Sequence, residues 1–562
     1  MYLDCLVKMP NAPGKLVCQK KGETTYVYYE TDRTYDPEKR YTAPKRVTIG
    51  KRSKDDPDMI QPNENFLRFF PDEQLPEEKD RSVRSSCLRI GTFIVIRQLM
   101  KENGISDILS MYLKPKDQGL FQDLAAYSII AENNAAQYYP DYAYNHPLFT
   151  EGMTIYSDSK VSDFLNSLTA EQSAGFLNEW NSARDHRQKI YISYDSTNKN
   201  CQAGDIEMVE FGNAKDDKSL PVFNYSIAYD TNNREPLFYE KYPGSINDVS
   251  QFQFMLDKAK AYGYKKVGFI LDRGYFSKKN IEYMDQCGYS FVIMVKGMAS
   301  FIHQLITENK GSFEEEWINS ISEYGVYGKT IKRKMYASDK NDRYFHLYYN
   351  SARASSEKRE IEAKITEMKR FLMNHKNEKR TFGPAYEKYF ILHYDTDGET
   401  FLFPEDKTQV VSDELKLCGY FAIVTSEKMS AKDAISLYKS RDTSEKLFRG
   451  DKSYLGNKSL RVYSDESAVS KIFIEFIALI IRCSMYTHLK DAVKKMDQKP
   501  NYMTVPAAIR ELEKIEMVRQ LDGVYRLDHA VTAKQKTILE AFGIGADHVK
   551  YRAACISEEL KR

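Results

Sequence analysis

The sequence lacks the features that mark secreted, zinc-binding and membrane-spanning proteins. Its eight cysteines form no CxxC pair and have no histidine at ligand spacing, which argues against zinc and against disulfides. The most apolar run, KIFIEFIALIIRC, is interrupted by Glu475 and is too short to cross a bilayer, so no membrane partner is expected. No basic start followed by an apolar core and a cleavage site opens the chain, so we expect an intracellular, cytoplasmic protein.

The sequence also lacks a charge imbalance that would identify a partner. The net charge is +2, so any electrostatic argument has to be local. The chain has 562 residues, of which 42% are hydrophobic and 29% charged, as in globular proteins. This length predicts three to five domains.

Composition and periodicity predict a multidomain α+β protein with a mixed α/β core that an insertion interrupts. The predicted parts are a small β-rich basic unit (1–75), a helical domain (76–185), the first part of the core (186–299), an insertion domain (300–415), the second part of the core (416–490) and a helical C-terminal region (491–562). The N-terminal unit carries its cations along short β-prone runs.

The core is predicted from a change of pattern at Lys189. KIYISYD alternates apolar and polar residues, and two further strand-like runs follow it, which indicates an antiparallel meander. A helix then leads into VGFILDRG, a continuously apolar run of the kind that is buried on both faces of a sheet. With a further helix and strand, the predicted order is β-β-β-α-β-α-β.

Two carboxylates follow apolar strand patterns. Asp195 closes KIYISYD, and Asp272 closes VGFIL. Strand ends hold side chains rigidly at the edge of a sheet, and an ionised carboxylate beside an apolar strand needs a metal or a cation. Each aspartate alone has an ordinary alternative, because Asp often starts a turn or caps a helix.

A third acid occurs in the stretch LYKSRDTSEKLFRGDKS, residues 437–453. On one continuous helix, Tyr438, Arg441, Glu445 and Lys452 lie within about 60° of one another. Such a face could hold a metal and grip a phosphate, but an ion-paired solvent face has the same pattern. Glu475 is the main rival to Glu445 as the third acid.

The spacing of Tyr438, Arg441, Glu445 and Lys452 resembles the Tyr-Arg-Glu-Lys motif of one branch of the bacterial insertion-sequence transposases with an Asp-Asp-Glu site. YDST (194–197) and LDRGYFS (271–277) resemble the same family, as does the long insertion before the acid-bearing helix. The resemblance extends over roughly residues 186–490, with the two aspartates and the glutamate in the family's order.

The resemblance implies a ribonuclease-H-like core in which Asp195, Asp272 and Glu445 bind two Mg²⁺ or Mn²⁺ ions. The implied activity is cleavage of double-stranded DNA at transposon terminal inverted repeats and strand transfer into target DNA, by a homodimer that is nucleoid-associated when bound. The helical domain 76–185 is then expected to bind DNA.

In the family, the Tyr and Arg of the motif contact phosphate and the Lys assists, which implies those roles for Tyr438, Arg441 and Lys452. Some members flip a base onto an aromatic residue of the insertion. Trp317 lies in that region, where it is either a stacking residue or an ordinary core or surface ring.

Two other functions stay open from the sequence. A ribonuclease-H-like nuclease without strand transfer would use the same acids. A catalytically silent DNA-binding protein derived from a transposase is the second alternative, and the intact set of Asp195, Asp272 and Glu445 argues against it.

Overall fold

The computed structural model describes most of the chain. The described residues are 2–3, 5–22, 24–37, 40–54, 56–73, 75, 84–185, 188–201, 206–212, 219–246, 248–296, 298–339, 341–442, 455, 460–498 and 500–561. They form two compact units, one built from residues 1–95, 140–155 and 507–562 and the other from residues 96–139 and 156–506. None of the described helices combines the length and the apolar character that a bilayer crossing needs.

The strands among the described residues are numbered in chain order. They are β1 (Val7–Lys8), β2 (Leu16–Lys21), β3 (Thr24–Asp36), β4 (Tyr41–Arg52), β5 (Met59–Pro62), β6 (Cys87–Arg89), β7 (Ile190–Asn200), β8 (Val222–Asp230), β9 (Glu235–Pro243), β10 (Val267–Leu271), β11 (Ser290–Met294), β12 (Ser320–Ile321), β13 (Val326–Arg333), β14 (Arg343–Tyr349), β15 (Phe390–Tyr394), β16 (Phe401–Asp406), β17 (Tyr420–Thr425), β18 (Glu516–Arg519) and β19 (Tyr525–Leu527).

The helices are numbered in the same way. They are α1 (Glu64–Phe69), α2 (Gly91–Glu102), α3 (Ile105–Tyr112), α4 (Pro115–Ala131), α5 (Tyr139–Asn145), α6 (Asp158–Ser167), α7 (Ala170–Ser182), α8 (Asp248–Ala261), α9 (Lys278–Gln286), α10 (Ala299–Asn309), α11 (Ser351–Asn374), α12 (Pro384–Glu387), α13 (Thr408–Lys416), α14 (Ala431–Lys439), α15 (Asp465–Val493), α16 (Val505–Leu512), α17 (Ala533–Ala541) and α18 (Ala546–Glu559).

A nine-stranded mixed sheet forms the centre of the larger unit. Its strand order is β12-β13-β14-β17-β11-β10-β7-β8-β9. β7, β10 and β11 run parallel, whereas β8 and β9 continue from β7 as an antiparallel meander. The predicted order β-β-β-α-β-α-β is thus confirmed for the elements from β7 to β11.

Helices cover both faces of this sheet. On one face, Phe252 of α8 packs against Tyr194 of β7 and Phe269 of β10, with ring centroids 5.7 and 5.8 Å apart. On the other face, Ile435 of α14 packs in one buried cluster with Ile270 of β10. Because both faces are covered there, β10 is apolar throughout rather than alternating, as VGFIL indicates.

The sheet continues into the region predicted to be an insertion domain. β13 and β14 pair with each other, and β14 pairs with β17 from Tyr344↔Thr425 to Tyr349↔Tyr420. Part of residues 300–415 therefore belongs to the central sheet. Later residues of the region have a small core of their own, made by Leu372, Phe382, Tyr389, Phe390 and Phe401.

The helices that precede β7 in the larger unit pack on the same structure. The ring of Phe473 on α15 lies 4.8 Å from Phe121 of α4 and 5.5 Å from Phe176 of α7. The indole N–H of Trp180 donates to the carbonyl of Pro236 at 2.9 Å. Residues 156–185 therefore belong to the same compact unit as the central sheet.

The smaller unit contains two sheets. A five-stranded sheet has the order β1-β5-β4-β3-β2, and a three-stranded sheet has the order β19-β18-β6. β18 and β19 fall in the C-terminal region for which only helices were expected. Their pairing with β6 joins segments that lie more than 400 residues apart, which local periodicity does not report.

Candidate active site

Asp195 lies on β7 at the position where its parallel partner ends. The ladder between β7 and β10 runs from Ile190↔Val267 to Tyr194↔Leu271, so Asp195 is the first residue beyond it. The antiparallel ladder with β8 continues to Asn200↔Val222. The expectation that the strand closes at Asp195 is therefore wrong, because pairing with β8 holds the chain extended for five more residues.

Asp272 follows β10 directly and caps a single 3₁₀ turn, Arg273–Tyr275. Its Oδ1 accepts a hydrogen bond from the Arg273 N–H at 2.7 Å. The capping role offered as an alternative is thus present. It uses one oxygen of a side chain that is 40% exposed, so the carboxylate is still open to a ligand.

The two aspartates are neighbours across the sheet. Each is the first residue after the matched pair Tyr194↔Leu271 on adjacent parallel strands. Adjacent strands lie about 4.8 Å apart, so the two residues begin side by side at the carboxyl edge of the parallel ladder. Two carboxylates from separate elements at one edge are suited to a hard cation with oxygen ligands.

Arg441 approaches this edge from the end of α14. Its Nη1 lies 3.5 Å from Oδ1 of Asp272, and the Arg441 side chain is only 12% exposed. The guanidinium carbon also lies 5.4 Å from the centre of the Tyr438 ring, within the range of a cation–π contact. The tertiary structure thus brings Tyr438, Arg441 and Asp272 together at this edge.

The helix that carries these residues is not continuous. α14 ends at Lys439, and the Arg441 N–H bonds to the Tyr438 carbonyl at 3.2 Å, an i→i−3 contact. This tighter turn replaces the predicted helical step between Tyr438 and Arg441. The two side chains share a side because of the turn and of the ring contact, and regular helix geometry does not account for it.

Tyr438 is a core residue as well as a neighbour of Arg441. Its side chain is buried in the cluster that includes Ile270, Val292, Ile423 and Ile435. The ring therefore fixes the end of α14 on the sheet and supports the guanidinium above it.

Glu445 and Lys452 lie outside the described residues, within 443–454. Among the residues that are described, no three His, Cys, Asp or Glu side chains are placed to hold a metal ion together. Asp195 and Asp272 are thus the two described members of the predicted set.

Trp317 lies in a single 3₁₀ turn, Trp317–Asn319, between α10 and β12. Its side chain is 87% exposed, and so is that of its neighbour Ile318. The core alternative for Trp317 is wrong, because the ring is presented to solvent.

Glu475, the rival acid, is committed elsewhere. Its Oε2 lies 2.8 Å from the ammonium of Lys199, and both side chains are essentially inaccessible, at 2% and 0%. Lys199 is four residues beyond Asp195 on β7, which places it about 13 Å further along the strand. Glu475 therefore neutralises a buried cation away from the two aspartates.

Lys199 was not among the residues predicted from the sequence, although the sequence carries a signal for it. Lys199 has the same strand phase as Asp195, and a lysine inside a strand that is buried on both faces needs an acid. Nearby Lys471 shows how costly this environment is, because burial lowers its pKa to about 8 even though Glu475 acts in the opposite direction.

The fold and the paired aspartates define an α/β enzyme core with a carboxylate site at a sheet edge. Residues 192–481 match the model of the transposase DDE domain, which is more than half of the 562 residues, and the chain belongs to this family. The protein is a DNA transposase, an enzyme of the DDE class.

Solved structures give a weaker comparison. A piggyBac transposase synaptic complex with hairpin DNA is similar at 7% sequence identity over 84% of each chain, with a TM-score of 0.36. No protein of curated function is significantly similar to the sequence.

Proposed function

We propose that this transposase cuts DNA at the terminal inverted repeats of a bacterial insertion sequence of the Tyr-Arg-Glu-Lys branch and joins the freed ends to target DNA. The supporting observation is the position of Asp195 and Asp272 side by side after Tyr194↔Leu271, with the Arg441 guanidinium 3.5 Å from Asp272. In hydrolysis, water attacks the phosphorus and the 3′-oxygen leaves. In transfer, that 3′-hydroxyl attacks a target phosphodiester and displaces another 3′-oxygen.

The site residues fit a pair of divalent cations. Asp195, Asp272 and Glu445 would hold two Mg²⁺ or Mn²⁺ ions, since these ions prefer carboxylate oxygens and a partly exposed site that retains water. When bound, the ions would activate the attacking oxygen and stabilise the leaving one.

Arg441 is the described cation best placed for the phosphate. Its planar fork can bind two non-bridging oxygens while Tyr438 supports it from below. The contact with Asp272 orients the guanidinium toward the aspartate edge before DNA binds. Tyr438 and Lys452 complete the proposed phosphate contacts, Tyr438 through its hydroxyl.

The remaining proposals concern the fold and the assembly. The order β9-β8-β7-β10-β11 within the sheet, with helices on both faces, supports a ribonuclease-H-like core. A homodimer would hold two transposon ends together, with the N-terminal helices contributing to end binding. The exposure of Trp317 supports a stacking role for its ring on a flipped base.

A strand-transfer assay tests the proposal directly. The protein, Mg²⁺ and duplexes that carry pre-cut terminal repeats are incubated with a plasmid target, and the joined products are sequenced across the junctions. Covalently joined ends are expected from the wild type and not from Asp272→Ala. Hydrolysis of uncut ends without any joined product would reduce the function to that of a nuclease.

A further inference from the structure

The N-terminal sheet unit has a charge that the whole chain does not show. Residues 1–54 contain twelve Lys and Arg against six Asp and Glu, whereas the complete chain has a net charge of only +2. The excess of cations is therefore concentrated in one small folded segment. Such local charge asymmetry is typical of a surface for a polyanion.

Among the residues that the structure describes, the buried hydrophobic cluster of the five-stranded sheet lies on one face. Val7, Val27, Ile49 and Ile60 pack with Phe66 and Phe70, residues at and beside α1, in a buried cluster. Tyr29 joins this side, with its ring centroid 5.1 Å from that of Phe70. Residues that alternate with Val27 and Tyr29 along β3 therefore lie on the opposite face, here called the open face.

The open face interleaves tyrosines with lysines. Tyr26 and Tyr28 of β3 lie on this face. Tyr2 lies close to both, since burial and the proximity of these two tyrosines raise the pKa of Tyr2. The ammonium of Lys51 lies 4.0 Å from the centre of the Tyr2 ring, and that of Lys21 lies 5.9 Å from the centre of the Tyr28 ring. These contacts hold the two cations at defined positions above the sheet.

Two arginines, Arg33 and Arg46, extend the same face, because a register shift between Glu30 and Asp32 interrupts the simple alternation along β3 and returns Arg33 to this side. Glu30 is two residues beyond Tyr28 on β3 and lies on the same face. Its carboxylate oxygens lie 2.7 Å from Nε of Arg33 and 3.7 Å from Nε of Arg46. The arginine side chains are 66% and 40% exposed, whereas that of Glu30 is 7% exposed. One shielded acid thus orders two accessible guanidinium groups.

The balance of this face is strongly positive. Among the described strand residues whose phase places them on the open face, the cations are Lys8, Lys21, Arg33, Arg46 and Lys51, and Glu30 is the one acid. All five cations stand on a hydrogen-bonded sheet backed by a core. The positive charge is thus displayed at fixed spacing on a rigid element.

We propose that the open face of the N-terminal sheet is a binding surface for the phosphate backbone of duplex DNA. The proposal rests on the proposed function in that DNA is the partner, and it adds a binding site outside the DDE domain. The face suits backbone binding because lysine, arginine and tyrosine donors are typical phosphate contacts. Five strands make it about 19 Å wide, whereas the major groove is about 12 Å wide, so the sheet lies across the backbone.

The same contacts favour a duplex over a single strand. Single-strand binding proteins offer free aromatic faces on which bases stack. Here Lys51 stands over Tyr2 and Lys21 stands over Tyr28, so one face of each of these two rings is next to an amine. The rings hold the cations in place, and the cations meet the phosphates.

The test is equilibrium binding of the full-length protein to a fluorescent duplex that carries a terminal repeat, measured by anisotropy at several salt concentrations. The variant is Lys21→Gln, Arg46→Gln and Lys51→Gln combined. If each residue contacts one phosphate, the slope of log K against log salt becomes shallower by about 3. We expect affinity at 0.1 M salt to fall at least about tenfold, equally for repeat and unrelated duplexes.

The matched control is Lys536→Gln, Lys550→Gln and Lys561→Gln combined. It removes the same charge from exposed lysines on, or just after, the C-terminal helices in the same compact unit. We expect its slope and affinity to equal those of the wild type. Thermal unfolding of both variants checks that the fold is intact, since all substituted side chains are partly or fully exposed.

The outcomes separate this inference from the proposed function. An unchanged slope for the open-face variant overturns the inference, as does an equal loss in the control. A loss confined to single-stranded DNA or RNA also overturns it, because the partner would be of another class. If the wild type binds and joins repeat ends while the open-face variant binds equally well, the proposed function stands and only the open face is excluded.

Discussion

Arg441 Nη1 lies 3.5 Å from Oδ1 of Asp272, the residue that directly follows β10. This contact links the end of α14 to the edge of the parallel ladder and puts a cation beside a candidate metal ligand. It makes the aspartate edge a place where a carboxylate, a guanidinium and a phosphate can meet.

Loss of the aspartate carboxylate should stop the chemistry and spare DNA binding. We expect Asp272→Ala to lower the rate of end cleavage at least about a thousandfold, which corresponds to about 4 kcal/mol in activation free energy. Cleavage is followed on labelled repeat duplexes in Mg²⁺, with anisotropy as the binding control. Undiminished cleavage would remove Asp272 from the site.

Removal of Arg441 should change the metal requirement as well as the rate. A cation 3.5 Å from the Asp272 oxygen competes with a metal for that oxygen, so Arg441→Ala should reach half-maximal rate at a lower Mg²⁺ concentration. Its maximal rate should fall about tenfold to a hundredfold through loss of the phosphate contact, with incomplete rescue by Arg441→Lys.

Lys439→Ala is the matched control for that experiment, because Lys439 is an exposed cation two residues away. We expect its Mg²⁺ titration to follow the wild type. An equal shift for both variants would indicate general electrostatics rather than a specific contact with Asp272.

Trp317 should matter for a DNA step and not for folding. Because the side chain is 87% exposed, Trp317→Ala should leave the melting temperature unchanged. We expect a slower second-strand cut with partial recovery in Trp317→Phe, since stacking is worth about 1–3 kcal/mol per base. Ile318→Ala, equally exposed, should cut both strands at the wild-type rate, and a similar defect there would indicate a merely local disturbance.

His346 should make the fold sensitive to acid. The hydroxyl of Thr425 donates its hydrogen to the Glu427 carbonyl, so its oxygen accepts a hydrogen bond from Nε2–H of His346. On the other side of the ring, the Thr330 hydroxyl donates to Nδ1. Burial lowers the pKa of His346 to about 4, below the ordinary 6.5. Between about pH 6.5 and pH 4, His346 is therefore protonated in the unfolded chain and neutral in the folded chain. The free energy of unfolding falls as the pH decreases through this range.

His346→Gln removes this titration and can keep hydrogen bonds to both threonines. Between pH 7 and pH 5, we expect the wild type to lose up to about 2 kcal/mol more stability than the variant. Melting temperatures across this pH range measure the difference. Parallel curves would show that folding does not lower the pKa of His346.

Breaking the buried pair Lys199–Glu475 should lower the free energy of unfolding strongly, whereas replacing both residues by apolar ones should lower it little. Glu475→Gln leaves Lys199 buried beside Lys471 without a countercharge, and we expect a loss of about 3–5 kcal/mol in unfolding free energy. The double variant Lys199→Met with Glu475→Leu removes both charges and should recover most of this loss. Chemical denaturation of the three proteins decides between these outcomes. A mild effect of Glu475→Gln alone would mean that water reaches the pair.

The order of the core elements and the proximity of Asp195 to Asp272 could be predicted from the sequence. Apolar runs such as VGFIL report burial on both faces, and the carboxyl ends of parallel strands meet at one edge. The spacing of Arg441 and Tyr438 predicted only that the two residues lie on one side of a helix. The reason given for it, a continuous helix, was wrong, because a local i→i−3 hydrogen bond closes the turn.

Other features depended on pairings between distant segments. The extension of the sheet by β13 and β14 rests on the pairing of β14 with β17, across about seventy residues that include α11 and a separate small core. The salt bridge between Lys199 and Glu475 joins residues 276 positions apart. No local period signals such contacts, since each segment is also compatible with other partners.

The sequence by itself determined the local elements and the identity of the chemical groups. Hydrophobic periodicity sets which segments become strands or helices, and the residue types after β10 and within β7 supply the carboxylates. The tertiary structure decided which of these groups meet. It placed Arg441 beside Asp272 and Glu475 beside Lys199, and it left Trp317 and the open face of the N-terminal sheet accessible. The sequence alone could not decide this, because strand register and packing across the fold are set by long-range contacts.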